Sequence, residues 1–322
     1  MSKMTTKLHL VLGGYGAIGR AVIKELQSRG LLVKAVERSK EVKSVETIKA
    51  DILNFVDVKR AVKGASYVYL CIGIKYKSKI WAEQWPVVMK NVIKACEEEN
   101  AKLIFLDNVY MYGPSPLSVP FNESHSQKPE SRKGKTRKHI SDMLLDAFKN
   151  GKVKGVIGRA ADIYGPAAVN SPFYINFLEN MLKEKSPQFL ALPGVKHTYA
   201  YTIDIGRALV ALALDESTYG QVWHLPVGQP ITIEEVVKIF NKELSSSFNV
   251  SFMPRFLLEL MSLFISPIKE AKEMIYQFDN EYIMSFEKFQ DHFPEFKTTN
   301  YNDGIREMIK SFNESDYKNS NM

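Results

Sequence analysis

The chain has 322 residues, 45% hydrophobic and 25% charged, with 43 Lys and Arg against 36 Asp and Glu for a formal net charge of +7. This balance excludes wholesale disorder and fibrous structure, and the length suffices for one large α/β unit or two domains. Its two cysteines, Cys71 and Cys96, lack metal-ligand spacing, and none of the six histidines sits in a zinc motif. Buried thiols in a reducing compartment, no disulfide framework and no bound metal are therefore expected.

From the N-terminus, MSKMTTKLHLVLGG offers too little charge and too short an apolar run for a signal peptide, so a cytoplasmic protein is expected. The run LHLVL reads as a strand that leads into GGYGAIG, with Gly13, Gly16 and Gly19 three apart at the start of the helical pattern AIGRAVIKELQSRG. Glycine permits a sharp turn, close approach of backbone N–H groups to a diphosphate, and tight packing of helix on strand. The helix start adds partial positive charge, so Gly13, Gly14, Tyr15, Gly16, Ala17, Ile18 and Gly19 are candidates for holding a dinucleotide.

The second strand ends at Glu37 and Arg38, eighteen residues past Gly19 at the first of them. A carboxylate there accepts hydrogen bonds from the adenosine ribose diol, whereas an arginine welcomes a 2′-phosphate. VKAVERS presents both, and with Glu37 turned away the reading leans slightly to NADP within an NAD(P) assignment. Asp51 and Ile52, in KADILN after the third strand, are placed to meet the adenine, with helix capping as a competing role for Asp51. Cys71, Ile72 and Gly73 end the fourth strand, where small residues let the backbone run beside a cofactor.

The fifth strand closes with FLDNVYMYG at 105–113, where Asn108 can hydrogen-bond a substrate oxygen and Tyr110 is a candidate proton donor, with an aromatic packed against the loop or cap as the alternative for Tyr110. Tyr112 is expected to pack. KPESRKGKTRK, 128–138, concentrates cations without interleaved aromatics, which reads as a solvated loop and helix start and not as a nucleic-acid surface. After GRAADIYGP, 158–166, helices at 171–185, 204–214, 232–245, 254–278 and 303–314 outnumber short strands near 198–203 and 222–226. No stretch reaches the ~18 apolar residues of a membrane span. FLLELMSLFISPI, 256–268, is apolar on most faces and reads as a buried or lid helix, with a membrane surface or a subunit partner as the alternatives.

The alternation of strands and helices predicts an α/β, Rossmann-like doubly wound parallel sheet with a smaller, mostly helical C-terminal substrate domain. The expected division gives residues 1–165, with about 196–228, to the nucleotide domain. Residues 166–195 and 229–315 form the cap, and 316–322 a disordered tail.

GGYGAIG, KADILN, YLCIG, VYMYG, GRAADIYGP and HTYAYTIDIGRALVAL together resemble the extended short-chain dehydrogenase/reductase family, which contains NAD-dependent nucleotide-sugar epimerases and dehydratases. The resemblance covers about residues 8–240. It implies a serine or threonine where Asn108 stands, and a Tyr and Lys four apart where Lys133 and Arg137 stand. None of the fifteen tyrosines has lysine four residues on, so the usual acid/base is missing. Lys133 and Arg137 share a helical face that can point both into the cleft, Lys133 as a candidate acid or base, with a solvated surface position as its alternative, and Arg137 as a donor to the nicotinamide ribose. The likeness also puts Arg159, Asp162 and His197 near the substrate, with structural roles for the first two and an exposed loop for His197 as the alternatives. The implied function is an atypical NAD(P)-dependent oxidoreductase or epimerase/dehydratase acting on a carbonyl or alcohol of a small molecule, such as a nucleotide sugar. A non-catalytic NAD(P) sensor is the other reading. Pairing of helices 81–99 and 134–149 between two copies is expected from the same likeness.

Overall fold

The computed structural model describes residues 7–190 and 192–313; the tail at 316–322 lies outside them. Strands β1 (His9–Leu12), β2 (Val33–Glu37), β3 (Thr47–Lys49), β4 (Tyr67–Leu70), β5 (Lys102–Asp107) and β6 (Gly155–Arg159) alternate with helices α1 (Ala17–Ser28), α2 (Phe55–Val62), α3 (Ser78–Glu99) and α4 (Arg132–Lys149). Short strands β7 (Ile163–Tyr164), β8 (Gln188–Phe189), β9 (Ala200–Tyr201), β10 (Val222–His224) and β11 (Ser251–Phe252) follow. Between and after them come α5 (Glu179–Met181), α6 (Thr202–Leu214), α7 (Ile233–Leu244), α8 (Arg255–Phe264), α9 (Ser266–Lys272), α10 (Glu287–His292) and α11 (Tyr301–Asn313).

Seven strands form one parallel sheet in the order β10-β6-β5-β4-β1-β2-β3. HLVL and YVYL are buried at every position, as strands covered on both faces must be. Helices flank the sheet, giving the expected doubly wound fold. In α6, a Cβ on Gly206 would lie 2.7 Å from Ala21 of α1, so only glycine allows these two helices to come this close. The direction of winding reverses between β1 and β4, and the crevice beyond their carboxyl ends is where such sheets bind ligands.

The chain divides into two compact units. The first holds residues through Asp107, Thr136–Arg159 and Ile205–Leu225; the second holds Asn108–Lys135, Ala160–Asp204 and the residues from Pro226 onward. Compared with the expected division, the excursion after β5 moves to the second unit. Backbone pairing explains this: Phe121 N–H donates to Ile283 O (2.9 Å), Ser285 N–H to Phe121 O (2.8 Å), and the Tyr282 hydroxyl to Val109 O (3.2 Å). The core of the second unit is aromatic, with Tyr164, Phe173, Phe177, Tyr199 and Phe240 at most 0% exposed and Tyr301 closing it. The segment expected as helix 171–185 begins as a π-helical turn at Phe173–Leu178. The apolar stretch 254–278 is interrupted at Ile265, where α8 gives way to α9.

Candidate functional site

A cleft of roughly 600 Å³ opens in the first unit beyond β1, β2 and β4. Gly13, Tyr15, Gly16, Glu37, Arg38, Asp51, Ile52, Cys71, Ile72 and Gly73 line it, as the sequence leads one to expect. Ser39, Lys75, Ile80, Gln84 and Val88 line it too and were missed. Ser39 could have been found, because it directly follows the two residues that end β2. Gln84 and Val88 lie on α3, and nothing local in the sequence marks which helical face meets the cleft.

The turn between β1 and α1 is built on backbone proximity. Gly13 has φ +86°, and its N–H donates to Val36 O (3.0 Å) while its carbonyl accepts from Gly16 N–H (3.1 Å). A Cβ on Gly19 would sit 2.0 Å from Gly13 O, so the first turn of α1 packs directly on the loop. Gly14 instead meets Ala35 of β2, and Ile18 is buried in the helix; with Ala17 and Gly19 they shape the cleft without lining it. No side chain caps α1 and its first turn carries no acidic residue, so no side chain occupies the cap position at the helix start.

Glu37 does not turn away from the cleft. Its carboxylate accepts the Tyr15 N–H at 2.6 Å, which pins it to the cleft wall at the end of β2. Burial raises its pKa, and the Tyr15 amide, Arg20 and Lys40 partly oppose that shift. Arg38 and Ser39 are exposed at the lip. Tyr15 lies between the cations of Arg20 (4.3 Å) and Lys40 (4.8 Å), and Arg20 Nε also donates to Tyr15 O. Asp51 Oδ1 accepts Leu53 N–H, while Asn54 caps α2 by accepting from Val56 and Asp57. The capping role considered for Asp51 therefore falls to Asn54.

At the end of β5 the structure departs further from expectation. The 128–138 cations are not simply solvated: Lys133 is 0% and Arg137 4% exposed. Arg137 Nε donates to Asp107 Oδ1 at 2.7 Å, and its guanidinium lies 4.5 Å from the centre of the Trp85 ring. Arg159 is fully buried, with Nε 3.5 Å from Asp107 Oδ2 and Nη2 donating to Ser141 Oγ (2.9 Å). Asp107 thus holds two arginines inside the first unit. Of the two roles left open for Arg159, substrate contact and a structural one, its burial and ion pair fit the structural one, and Arg137 is engaged by a carboxylate where a ribose donor was expected.

Lys133 and Arg137 do not converge. Lys133 Nζ donates to the carboxylates of Glu270 (2.5 Å) and Glu273 (2.9 Å) and to Glu270 O (3.0 Å), and its own N–H donates to Glu273. The four-residue spacing puts both on one side of α4, yet each long side chain reaches its own carboxylate. Asn108 Oδ1 accepts Tyr110 N–H (3.1 Å), so the amide shapes the turn after β5. Tyr110 is half-buried, and a Cβ on Gly134 would lie 2.3 Å from its carbonyl. Tyr112 is 1% exposed and packs against Phe121.

His197 is 2% exposed, which rules out the exposed-loop alternative. Its ring stacks on Phe278 and Tyr282 at 5.0 and 5.2 Å, and Nε2 lies 3.4 Å from Asp162 Oδ2. These two candidates do come together within the second unit. Among the described residues, no cluster of His, Cys, Asp or Glu could hold a metal ion, and no helix is long and apolar enough to cross a membrane.

Sheet order, glycine turn and crevice define the fold of the extended short-chain dehydrogenases/reductases. The family model described as the NAD dependent epimerase/dehydratase family matches residues 9–224, and the chain belongs to that family. Among solved structures, UDP-glucuronic acid 4-epimerase from Bacillus cereus, in complex with UDP-glucuronic acid and NAD, is similar at TM-score 0.79 and 18% identity, covering 95% of this chain and 99% of that one. UDP-N-acetylglucosamine 4-epimerase from Bacillus cereus is similar at 0.78 and 16%, covering 96% and 98%. A dTDP-glucose 4,6-dehydratase double mutant from Streptomyces venezuelae, with NAD bound, is similar at 0.78 and 14%, covering 95% and 97%. A search of curated proteins finds no match.

Proposed function

We propose that this chain binds NAD(H) in the cleft beyond β1 and β4 and acts on a carbonyl or alcohol carbon, with nucleotide sugars as the first substrate class to test. The observation that carries the reading is the glycine turn. Gly13 and Gly19 leave no room for a Cβ, and the uncapped start of α1 faces the same cleft that Glu37 lines. These residues fit a dinucleotide: Gly16 and the first amides of α1 would meet the diphosphate, Glu37 the adenosine ribose diol, and Asp51 and Ile52 the adenine. Cys71 to Gly73 would run beside the rest. When bound, the nicotinamide supplies hydride exchange. Similarity to NAD-bound nucleotide-sugar enzymes supports the choice of substrate class through the shared fold alone.

The position of Glu37 favours NAD(H) over NADP(H), reversing the lean drawn from VKAVERS. A 2′-phosphate would meet a carboxylate already fixed by the Tyr15 amide, with Arg38 the compensating charge at the lip. For proton transfer, Lys133 and Arg137 are held in ion pairs, which leaves the Tyr110 phenol as the proposed carrier, on a turn shaped by Asn108. Asp162 and His197 are proposed as substrate-side residues. The protein is further proposed to be a cytoplasmic homodimer that pairs through helices 81–99 and 134–149.

Titration of purified protein with NADH and NADPH tests the core of this reading. NADH is expected to bind at least about tenfold more tightly, and Glu37→Gln to shrink the difference. Tighter NADPH binding would reverse the cofactor assignment, and no affinity for either nucleotide would defeat the proposal. Incubation of the NAD-loaded protein with UDP- and dTDP-sugars, read by product chromatography and nicotinamide absorbance, tests turnover and its loss in Tyr110→Phe.

A second reading, a cofactor-binding sensor without turnover, draws on the same two ion pairs, because they engage both residues that stand where the family's Tyr and Lys are expected. Tight NADH binding with no conversion across the panel would favour it.

A further inference from the structure

We infer that Asn91 is a positioning residue for the base of the dinucleotide, the side chain through which the cleft selects adenine. The inference rests on the reading of the cleft given above. Asn91 belongs to α3 and continues the helical side whose earlier turns, at Gln84 and Val88, line the cleft. It is only 8% exposed, and its donor goes outside its own helix: Nδ2 donates to Ile52 O and to Leu53 O, both at 3.1 Å. Both partners are carbonyls, which only accept, so the side chain must present its NH2 edge to them.

The two bonds hold a turn that has one donor left over. Asp51 N–H donates to Asp57 Oδ2 (3.0 Å), Leu53 N–H to Asp51 Oδ1 (3.0 Å) and Asn54 N–H to Asp51 O (2.9 Å). Ile52 N–H has no partner among the described residues, while Asp51, Ile52 and Leu53 all line the cleft. A trans peptide sets its N–H opposite its C=O, so the direction of this free donor is fixed once Asp51 O is taken by Asn54 and the next two carbonyls are held by Asn91. With the Asp51 carboxylate it makes a donor beside an acceptor. Adenine offers the complement, an acceptor at N1 beside a donor at its 6-amino group, whereas hypoxanthine carries a hydrogen on N1 and a carbonyl at position 6 and so offers the reverse. Without Asn91 the two carbonyls lose their shared donor, and the Ile52 peptide is free to rotate away from the base.

Titration of the full chain with NADH and with its hypoxanthine analogue, reduced nicotinamide hypoxanthine dinucleotide, tests the inference. The unaltered protein is expected to prefer the adenine form by on the order of tenfold, and Asn91→Ala to bring that ratio to about threefold or less. Asn91→Asp, which keeps the shape but offers the carbonyls no donor, is expected to do the same. An unfolded fraction removes binding of both ligands alike, so the ratio reports the turn and not the stability of the variant. Equal loss of affinity for the two ligands in both variants would overturn the inference by assigning Asn91 a structural role alone, and so would the absence of any base preference in the unaltered protein. No affinity for either dinucleotide would defeat the reading of the cleft and this inference with it, whereas NADH binding with an unmoved ratio would defeat this inference alone.

Discussion

Asp107 carries more of the interior than any motif-based reading assigns to it. Its carboxylate meets Arg137 at 2.7 Å and faces Arg159 at 3.5 Å, with all three side chains buried. Removing one partner from a buried ion pair strands the others without compensation, which costs far more than the intact pair contributes. Asp107→Ala is therefore expected to lower stability by about 3–5 kcal/mol in urea unfolding, with Asp107→Asn less severe because the amide still accepts a hydrogen bond. The sequence marks Arg137 as a ligand contact and leaves Arg159 open between substrate contact and a structural role. What it does not show is that a carboxylate thirty positions before Arg137, next to Arg159 across the sheet, claims both cations first.

At the scale of elements, legibility follows the range of the interactions. The β1–α1 turn was legible because its tightest contact, Gly19 on Gly13 O, falls within GGYGAIG itself, whereas the crowding of Gly13 against Cys71 and of Gly14 against Ala35 depends on strands further along the chain. Gly19→Ala would push a methyl into Gly13 O, so α1 must lift from the turn. The expected outcome is a loss of roughly 1–3 kcal/mol in denaturant unfolding together with loss of NADH affinity. Helix α4 was legible as a helix but not in its environment, since Lys133 owes its burial to Glu270 and Glu273, 137 and 140 residues further on. The same gap explains α8: FLLELMSLF has the composition of a buried helix, and only the tertiary structure reveals that few neighbours cover it.

For the whole molecule, the division into units was partly legible, as a change of pattern after β6, but not the early excursion at 108–135, which depends on pairing with residues near 282–285. One buried group links the main sheet to solution conditions. His9, on β1, is 1% exposed, stacked 4.4 Å from Tyr67, with Nδ1 3.0 Å from the Tyr69 hydroxyl. Burial, and then the charge of Lys7, lowers its pKa to about 4. The unfolded chain takes up this proton near pH 6.5 and the folded one only near 4, so the stabilisation is complete above about 6.5 and is lost as pH falls between those values. A loss of about 3 kcal/mol is expected over that window, measured by chemical unfolding at stepped pH, and His9→Phe is expected to flatten that limb.

Cys71 forms part of the cleft wall, yet only 8% of it is exposed, and burial raises its pKa to about 12. At neutral pH the reactive thiolate amounts to on the order of one molecule in a hundred thousand, so peroxides and alkylating agents meet an inert sulfur there. Oxidative stress would leave this wall chemically unaltered, and an inhibitor aimed at the cleft would have to hold by shape and charge, without a covalent anchor at this position.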